Sequence, residues 1–100
     1  MNEEDLKRIL DDSIVYDVYS RSFRELDDDE GLNNLTESVM TVRTDINRIK
    51  NRNARMCMIL RYVNGLSFTE ISKRMKKSYQ WINKLHAKGV KELLDMYNKD

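Results

Sequence analysis

The chain has 100 residues, of which 40% are hydrophobic and 35% are charged, and its net charge is +1. This is enough for one small domain, and the absence of proline together with only three glycines favours helices. No apolar run approaches the roughly 20 residues of a membrane helix, and the acidic start of the chain lacks a signal-peptide core. The single cysteine, Cys57, cannot form an internal disulfide, so we expect a soluble protein of the reducing cytoplasm.

The first predicted helix covers about residues 3–26, where apolar residues recur at three- and four-residue steps. These residues are Leu6, Ile9, Leu10, Ile14, Val18, Phe23 and Leu26. The acidic run that ends at Gly31 interrupts the pattern, and it lacks the alternating ligand spacing of a calcium loop. We therefore interpret the run as a solvated linker. The sequence predicts an acidic helical arm, residues 1–31, and a second helical domain, residues 32–100.

A second amphipathic helix is expected to begin after Asn34, which forms a capping-box-like pair with Glu37. It carries a heptad-like seam of Leu35, Val39, Val42, Ile46 and Ile49. Packing within one subunit explains this seam as well as a coiled coil does. Residues 6–26 and 35–49 are therefore two candidate contacts for a homodimer. The seam weakens at residues 50–55, where the helix either continues or restarts at an asparagine.

Two further helices are predicted with a very short turn between them. Gly65 is suited to end the preceding helix, and Ser67 forms a capping box with Glu70 at the start of the next one. Ser78 then caps the last helix, whose buried stripe is Ile82, Leu85, Gly89, Val90 and Leu93. A short helix, a three-residue turn and a longer helix with a polar, basic outer face are typical of a helix-turn-helix. We place this motif at about residues 67–94.

The outer face of the last helix carries residue types suited to DNA. Gln80 and Asn83 match the paired donor and acceptor of adenine, and Lys84 can reach guanine or phosphate. The expected DNA contacts are Lys73, Arg74, Lys76, Lys77, Ser78, Tyr79, Gln80, Asn83, Lys84 and Lys88. A solvated basic face is the plainer interpretation of the lysines taken one at a time. Residues 1–37 hold 12 Asp and Glu against 4 Lys and Arg, and residues 38–100 hold 5 against 14, which fits either a basic functional face or solvated helix faces. The helix-turn-helix pattern is what favours DNA.

Other reactive or aromatic residues have plain structural interpretations. Tyr79 and Trp81 could stack on bases, but an aromatic residue near a helix start is more often part of the core. His86 is expected to be a partly exposed helix residue, and Cys57 a core residue. With one histidine and one cysteine, we expect no metal site, no cofactor and no enzymatic activity.

The stretch LRYVNGLSFTEIS, Leu60 to Ser72, resembles the start of sigma factor region 4. The similarity continues at Ser78, Ile82, Lys84, Leu85, Lys88, Gly89 and Leu93, and it covers about residues 54–94. Short chains with this C-terminal pattern also resemble small phage and prophage proteins related to late-transcription activators. One departure is Lys76, which replaces the turn glycine of the family and is predicted to adopt a left-handed conformation.

The resemblance implies an all-α fold whose second motif helix reads promoter DNA through Tyr79, Gln80, Asn83 and Lys84. The 100 residues leave no room for sigma region 2, so it implies a region-4-like regulator associated with the nucleoid instead of a complete sigma factor. Region 4 also binds the RNA polymerase flap. The alternative is therefore an adaptor that contacts RNA polymerase or a host regulator without its own DNA site. In that case the acidic residues 1–37 could cover the basic face.

Overall fold

The computed structural model describes residues 1–99, which form six α-helices and no strand. The helices are α1 (Glu3–Ile14), α2 (Tyr16–Glu25), α3 (Asp29–Ile46), α4 (Arg52–Tyr62), α5 (Phe68–Met75) and α6 (Tyr79–Asn98). The all-α class expected from the composition is confirmed. None of the helices in this part of the chain is long and apolar enough to cross a membrane. Asp100, the last residue of the predicted second domain, lies outside the described residues.

The predicted helix over residues 3–26 is two helices, because the chain turns at Val15. Arg43 of α3 donates from Nη2 to the carbonyl oxygen of Ser13 at 2.8 Å and from Nε to its Oγ at 2.9 Å. The guanidinium group therefore holds the last turn of α1, as basic side chains do at helix C-termini. Ser13 in turn donates from Oγ to the carbonyl oxygen of Tyr62 at 2.7 Å, so one buried serine joins α1, α3 and α4.

Helix α3 begins earlier than the sequence pattern indicated. The side chain of Asp28 is the N-cap and accepts a hydrogen bond from the N–H of Gly31 at 2.9 Å. Asp29 and Glu30 occupy the first helical turn, where the helix dipole favours negative charge. The acidic run is thus the start of α3 and not a solvated linker, and Asn34 lies within the helix instead of capping it.

The seam of α3 packs within one chain. Four positions of the predicted seam, Val39, Val42, Ile46 and Ile49, are at most 2% exposed, although α3 ends at Ile46 and Ile49 lies in the segment after it. The main core joins three of them to α1, α4 and α6; its members are Leu6, Leu10, Val42, Ile46, Ile49, Ala54, Met58, Tyr62, Val90 and Leu93. Full burial of one large aliphatic side chain contributes about 1.5–3 kcal/mol. The seam residues therefore pack within one chain, and a dimer through these buried residues would require the fold to open.

A second, smaller core lies under the C-terminal helices. Helix α4 restarts with Asn51 as its N-cap, whose side chain accepts from the N–H of Ala54 at 2.9 Å. Its other face, together with α5 and the first half of α6, contributes Cys57, Leu60, Ile71, Ile82 and Leu85 to the second core. The first half of α6 therefore packs in one core and its second half in the other, which fixes the helix along its length.

Candidate nucleic-acid interface

The start of α5 has the capping arrangement that the sequence predicted. The Oγ of Ser67 accepts from the N–H of Glu70 at 3.2 Å, and the Oε1 of Glu70 accepts from the N–H of Ser67 at 3.1 Å. The hydrogen bond that the backbone N–H of Ser67 donates to this carboxylate lowers the pKa of Glu70. Gly65 ends the preceding segment with φ +73°, a conformation that favours glycine. The chain therefore enters α5 through a fixed turn.

The turn between α5 and α6 consists of Lys76, Lys77 and Ser78. Lys76 is left-handed as predicted, with φ 56° and ψ 45°. The N–H of Lys77 donates to the carbonyl oxygen of Ser72 at 3.1 Å, and the hydroxyl of Ser72 donates back to the carbonyl oxygen of Lys77. The Oγ of Ser78 accepts from the N–H of Trp81 at 3.1 Å, so Ser78 is the N-cap of α6 as predicted. Hydrogen bonds on both sides hold this turn in one geometry.

Helix α6 lies close to α4 because Gly89 has no side chain. A Cβ built on Gly89 would lie 2.5 Å from Cγ of Met58, which is fully buried. The five residues predicted for the buried stripe of α6, Ile82, Leu85, Gly89, Val90 and Leu93, are all buried. The opposite side of α6 is consequently directed away from the rest of the protein.

His86 lies at the edge of this contact. Its Nε2 is 2.5 Å from the hydroxyl of Tyr62, and its ring packs edge-on against Phe68 with 5.0 Å between the centroids. Burial lowers the pKa of His86, and the positive charges of Lys7 and Arg61 lower it further, while Asp11 opposes the shift. Burial raises the pKa of Tyr62 to about 12. His86 is half-buried as expected, and it connects α6 to α4 and α5 as a neutral ring.

The ten predicted DNA contacts all have exposed side chains. Five of them lie on α6: Tyr79, Gln80, Asn83, Lys84 and Lys88. The remaining five lie at the end of α5 and in the turn: Lys73, Arg74, Lys76, Lys77 and Ser78. The amide nitrogen of Asn83 donates to the carbonyl oxygen of Tyr79 at 3.2 Å, which leaves its oxygen without a partner among the described residues. The fold thus brings the ten residues onto the α5–α6 corner.

The charge around this corner is almost entirely positive. Residues 46–91 contain 12 Lys and Arg but one acidic residue, Glu70, whose carboxylate accepts the capping hydrogen bond. Among residues 1–99, the ion pairs involve Lys7, Arg8 and Arg48, so none of the cations at the corner is paired with a carboxylate. Unpaired cations on one face attract a polyanion because neutralising phosphates releases counterions.

Trp81 corrects one expectation from the sequence. It is 44% exposed instead of packed in the core, and Nζ of Lys77 lies 5.9 Å from the centre of its ring. Tyr79, at 50% exposed, packs edge-on against Phe68 on one side only. The exposure of Trp81 could have been predicted from the sequence, because Ile82 and Leu85 belong to the buried stripe of α6 and Trp81 does not.

The acidic N-terminal segment leaves the basic corner open. Helix α1 packs on α6 through the main core, and α2 packs on α1 and α3. The alternative in which residues 1–37 cover the basic face is therefore not the arrangement of this structure. Within residues 1–99, no three His, Cys, Asp or Glu side chains are grouped so that they could hold a metal ion. Cys57 is buried as expected, and burial raises the pKa of its thiol to about 11.

A shallow groove lies beside the corner, between α4 and α5. Its lining residues are Arg52, Asn53, Met56, Leu60, Arg74 and Met75. Met56 is 43% exposed there. The lining combines three apolar side chains with the basic Arg52 and Arg74. Such a surface suits an apolar peptide segment that carries acidic residues.

Comparison of the chain with protein-family models, with curated proteins and with solved structures found no match. The resemblance to sigma factor region 4 therefore depends only on the residues quoted between Leu60 and Leu93. Function has to be inferred from the geometry and the charge of the α5–α6 corner.

Proposed function

We propose that the protein is a sequence-specific, DNA-binding regulator of transcription, encoded by a phage or prophage and acting in the cytoplasm at the nucleoid. The observation that carries the proposal is the exposure of Gln80, Asn83 and Lys84 at the start of a helix that is fixed in two cores. A helix held in this way and surrounded by unpaired cations can enter the major groove of DNA. The resemblance to sigma factor region 4 supports the proposal that this corner is a helix-turn-helix.

In this proposal the residues of the α5–α6 corner divide into two roles. Gln80 and Asn83 read base edges, for which an amide offers a donor and an acceptor together. Ala87, one turn after Asn83, is small and exposed, so it lets the helix approach the bases closely. Lys73 and Lys77 neutralise phosphates, and these contacts position the helix without reading sequence.

A binding assay with the full chain tests the proposal. The protein should retard a random-sequence duplex at low salt, and the affinity should fall steeply as salt is added because phosphate contacts release counterions. Selection from a random duplex pool should then enrich a defined site. A chain that leaves duplex DNA unretarded at low salt, or that enriches no sequence, contradicts a sequence-specific DNA-binding function.

The groove between α4 and α5 favours a second candidate function, an adaptor that binds RNA polymerase or a host regulator. Its exposed Met56, together with Arg52 and Arg74, supplies apolar and basic contacts for a peptide segment. An adaptor should co-purify with polymerase and leave duplex DNA unbound. Met56→Asp should abolish that co-purification, whereas Gln80→Ala should leave it intact, which separates the groove from the α6 face.

A further inference from the structure

Trp81 places an apolar ring on a surface that is otherwise polar and basic. It is 44% exposed in the first turn of α6, and it belongs to neither of the two cores. Tyr79, the other aromatic residue of this turn, packs against Phe68, whereas Trp81 has Nζ of Lys77 over one face of its ring at 5.9 Å. Packing within residues 1–99 therefore leaves part of the indole surface in water, where a ligand can bury it.

The charges beside Trp81 on α6 are positive. Lys84 and Lys88 follow it by three and seven residues, so they lie on the same flank of the helix, and both are exposed. Neither forms an ion pair within residues 1–99. The next carboxylate along this flank is Glu92, 11 residues after Trp81 and so about 16 Å away along the helix. An apolar ring among unpaired cations suits a polyanion that also presents an apolar group.

Duplex DNA presents such a group in its major groove, the C5 methyl of thymine. The faces of paired bases are stacked inside the duplex, and the groove edges of adenine, guanine and cytosine carry hydrogen-bonding atoms without a methyl group. Trp81 follows Gln80 directly in the first turn of α6, and the N-terminal residues of a recognition helix are those that contact base edges. The ring therefore lies in the part of α6 that enters the groove in the proposed function.

We propose that Trp81 is a specificity-determining residue that selects thymine by contact between its ring and the C5 methyl group in the major groove. This inference rests on the proposed function and adds a base preference that the polar residues do not supply. Lys77 covers one face of the ring and helps to hold it, while the remaining exposed surface is free for the methyl group. Removal of both apolar surfaces from water favours thymine over cytosine, which has no methyl group.

Replacement of thymine by deoxyuridine tests the proposal, because the two bases differ only in the methyl group. Thymines of the selected site are replaced one at a time, and the full wild-type chain should bind about fourfold more weakly at one position, as expected for one buried methyl group. Trp81→Ala should bind the thymine and deoxyuridine sites equally at that position. Gln80→Ala, at the neighbouring residue, is the matched control and should keep the fourfold difference. Because Trp81 is exposed, thermal melting of Trp81→Ala should match that of the wild type.

The emission of Trp81 gives a second measurement, because it is the only tryptophan of the chain. Binding of the selected duplex should reduce the quenching of this emission by acrylamide, since the ring leaves the solvent. Quenching that is unchanged at saturating duplex would show that the ring stays in water, and it overturns the proposal.

The outcomes distinguish this proposal from the function on which it rests. A chain that retards no duplex overturns both. A chain that binds a selected site in which no deoxyuridine weakens binding keeps its DNA-binding function and loses the thymine contact. An equal deoxyuridine effect in wild type and Trp81→Ala assigns the methyl group to another residue, and tighter binding of single strands than of duplex assigns the ring to stacking on unpaired bases. Either of these results overturns the role of Trp81.

Discussion

The hydroxyl oxygen of Tyr62 lies 2.5 Å from Nε2 of His86, and this hydrogen bond joins the end of α4 to α6, the helix that carries the proposed DNA contacts. Phe68 at the start of α5 packs against the same imidazole ring. One side chain therefore contacts all three C-terminal helices. Because its environment favours the neutral ring, the position of α6 is linked to the protonation of His86.

The first prediction concerns the pH dependence of stability. The pKa of folded His86 is lowered from 6.5, so the unfolded chain takes up a proton at a higher pH than the folded chain does. The contribution of neutral His86 to the free energy of unfolding is fully present above 6.5 and is lost as the pH falls from there towards the lower folded pKa. Urea unfolding at a series of pH values measures it.

His86→Gln removes the titrating group and serves as the comparison. The difference in unfolding free energy between wild type and variant should shrink as the pH falls below about 6.5, because only the wild type meets the protonation penalty. Subtraction of the two curves also removes the effect of the carboxyl groups, which titrate in both proteins. A difference that stays constant across this range would show that His86 has the same pKa in both states.

The second prediction concerns the left-handed turn. Lys76→Gly should raise the free energy of unfolding by about 0.5–1 kcal/mol, because relief of the left-handed strain exceeds the added freedom of the unfolded chain. The same variant should bind DNA less tightly, since one cation at the corner is lost. Lys77→Gly removes the same charge at a residue whose φ is not positive, and it should give no gain in stability. Equal effects from both substitutions would mean that Lys76 is not strained.

The third prediction concerns the approach of α6 to α4. Gly89→Ala gains about 1 kcal/mol of helix propensity, but overpacking against Met58 costs about 1–3 kcal/mol, so we expect net destabilisation. Thermal unfolding measures the sign. In a double-mutant cycle with Met58→Ala, the effect of Gly89→Ala should become favourable, because the atoms that meet the new methyl group are gone. If the effects of Gly89→Ala and Met58→Ala on stability are additive, the new methyl group does not clash with Met58.

The fourth prediction concerns the buried serine that joins three helices. Ser13→Ala should lower the free energy of unfolding by about 1–3 kcal/mol, because it leaves the carbonyl of Tyr62 without the side-chain donor and Arg43 with one acceptor fewer. Ser22→Ala on exposed α2 loses one local hydrogen bond and should change stability by no more than about 0.5 kcal/mol. Urea midpoints compare the two variants, and a similar small loss in both would argue against the shared network.

The fifth prediction separates positioning from reading at the DNA face. Lys84→Ala should reduce the slope of log affinity against log salt by about 1, since one phosphate contact is lost. Gln80→Ala should leave that slope unchanged and lose about 1–3 kcal/mol of discrimination at one base pair of the selected site. Lys7→Ala, at an exposed position of α1, is the charge-matched control and should leave the slope intact. If Lys7 and Lys84 behave alike, the slope reports overall charge and not the α6 face.

The sequence by itself determined the C-terminal half closely. The capping pair of Ser67 and Glu70, the N-cap at Ser78 and the left-handed Lys76 are signals carried by residues within one turn of each other. The buried stripe of α6 also follows from residues close in sequence, because helical periodicity places its members on one side of the helix. Exposure of Gln80, Asn83 and Lys84 follows from that stripe, and no distant residue is needed to predict it.

Tertiary structure decided the N-terminal half. The helix breaks at Val15, and just before the break Arg43, which lies 30 residues from Ser13 in the chain, donates to the carbonyl oxygen of Ser13. Val18 and Leu26, which follow the break, are exposed, although both belong to the apolar pattern that predicted one amphipathic helix. The physical reason is that periodicity describes a straight helix, whereas a side chain from another helix can end it and reset the face that follows.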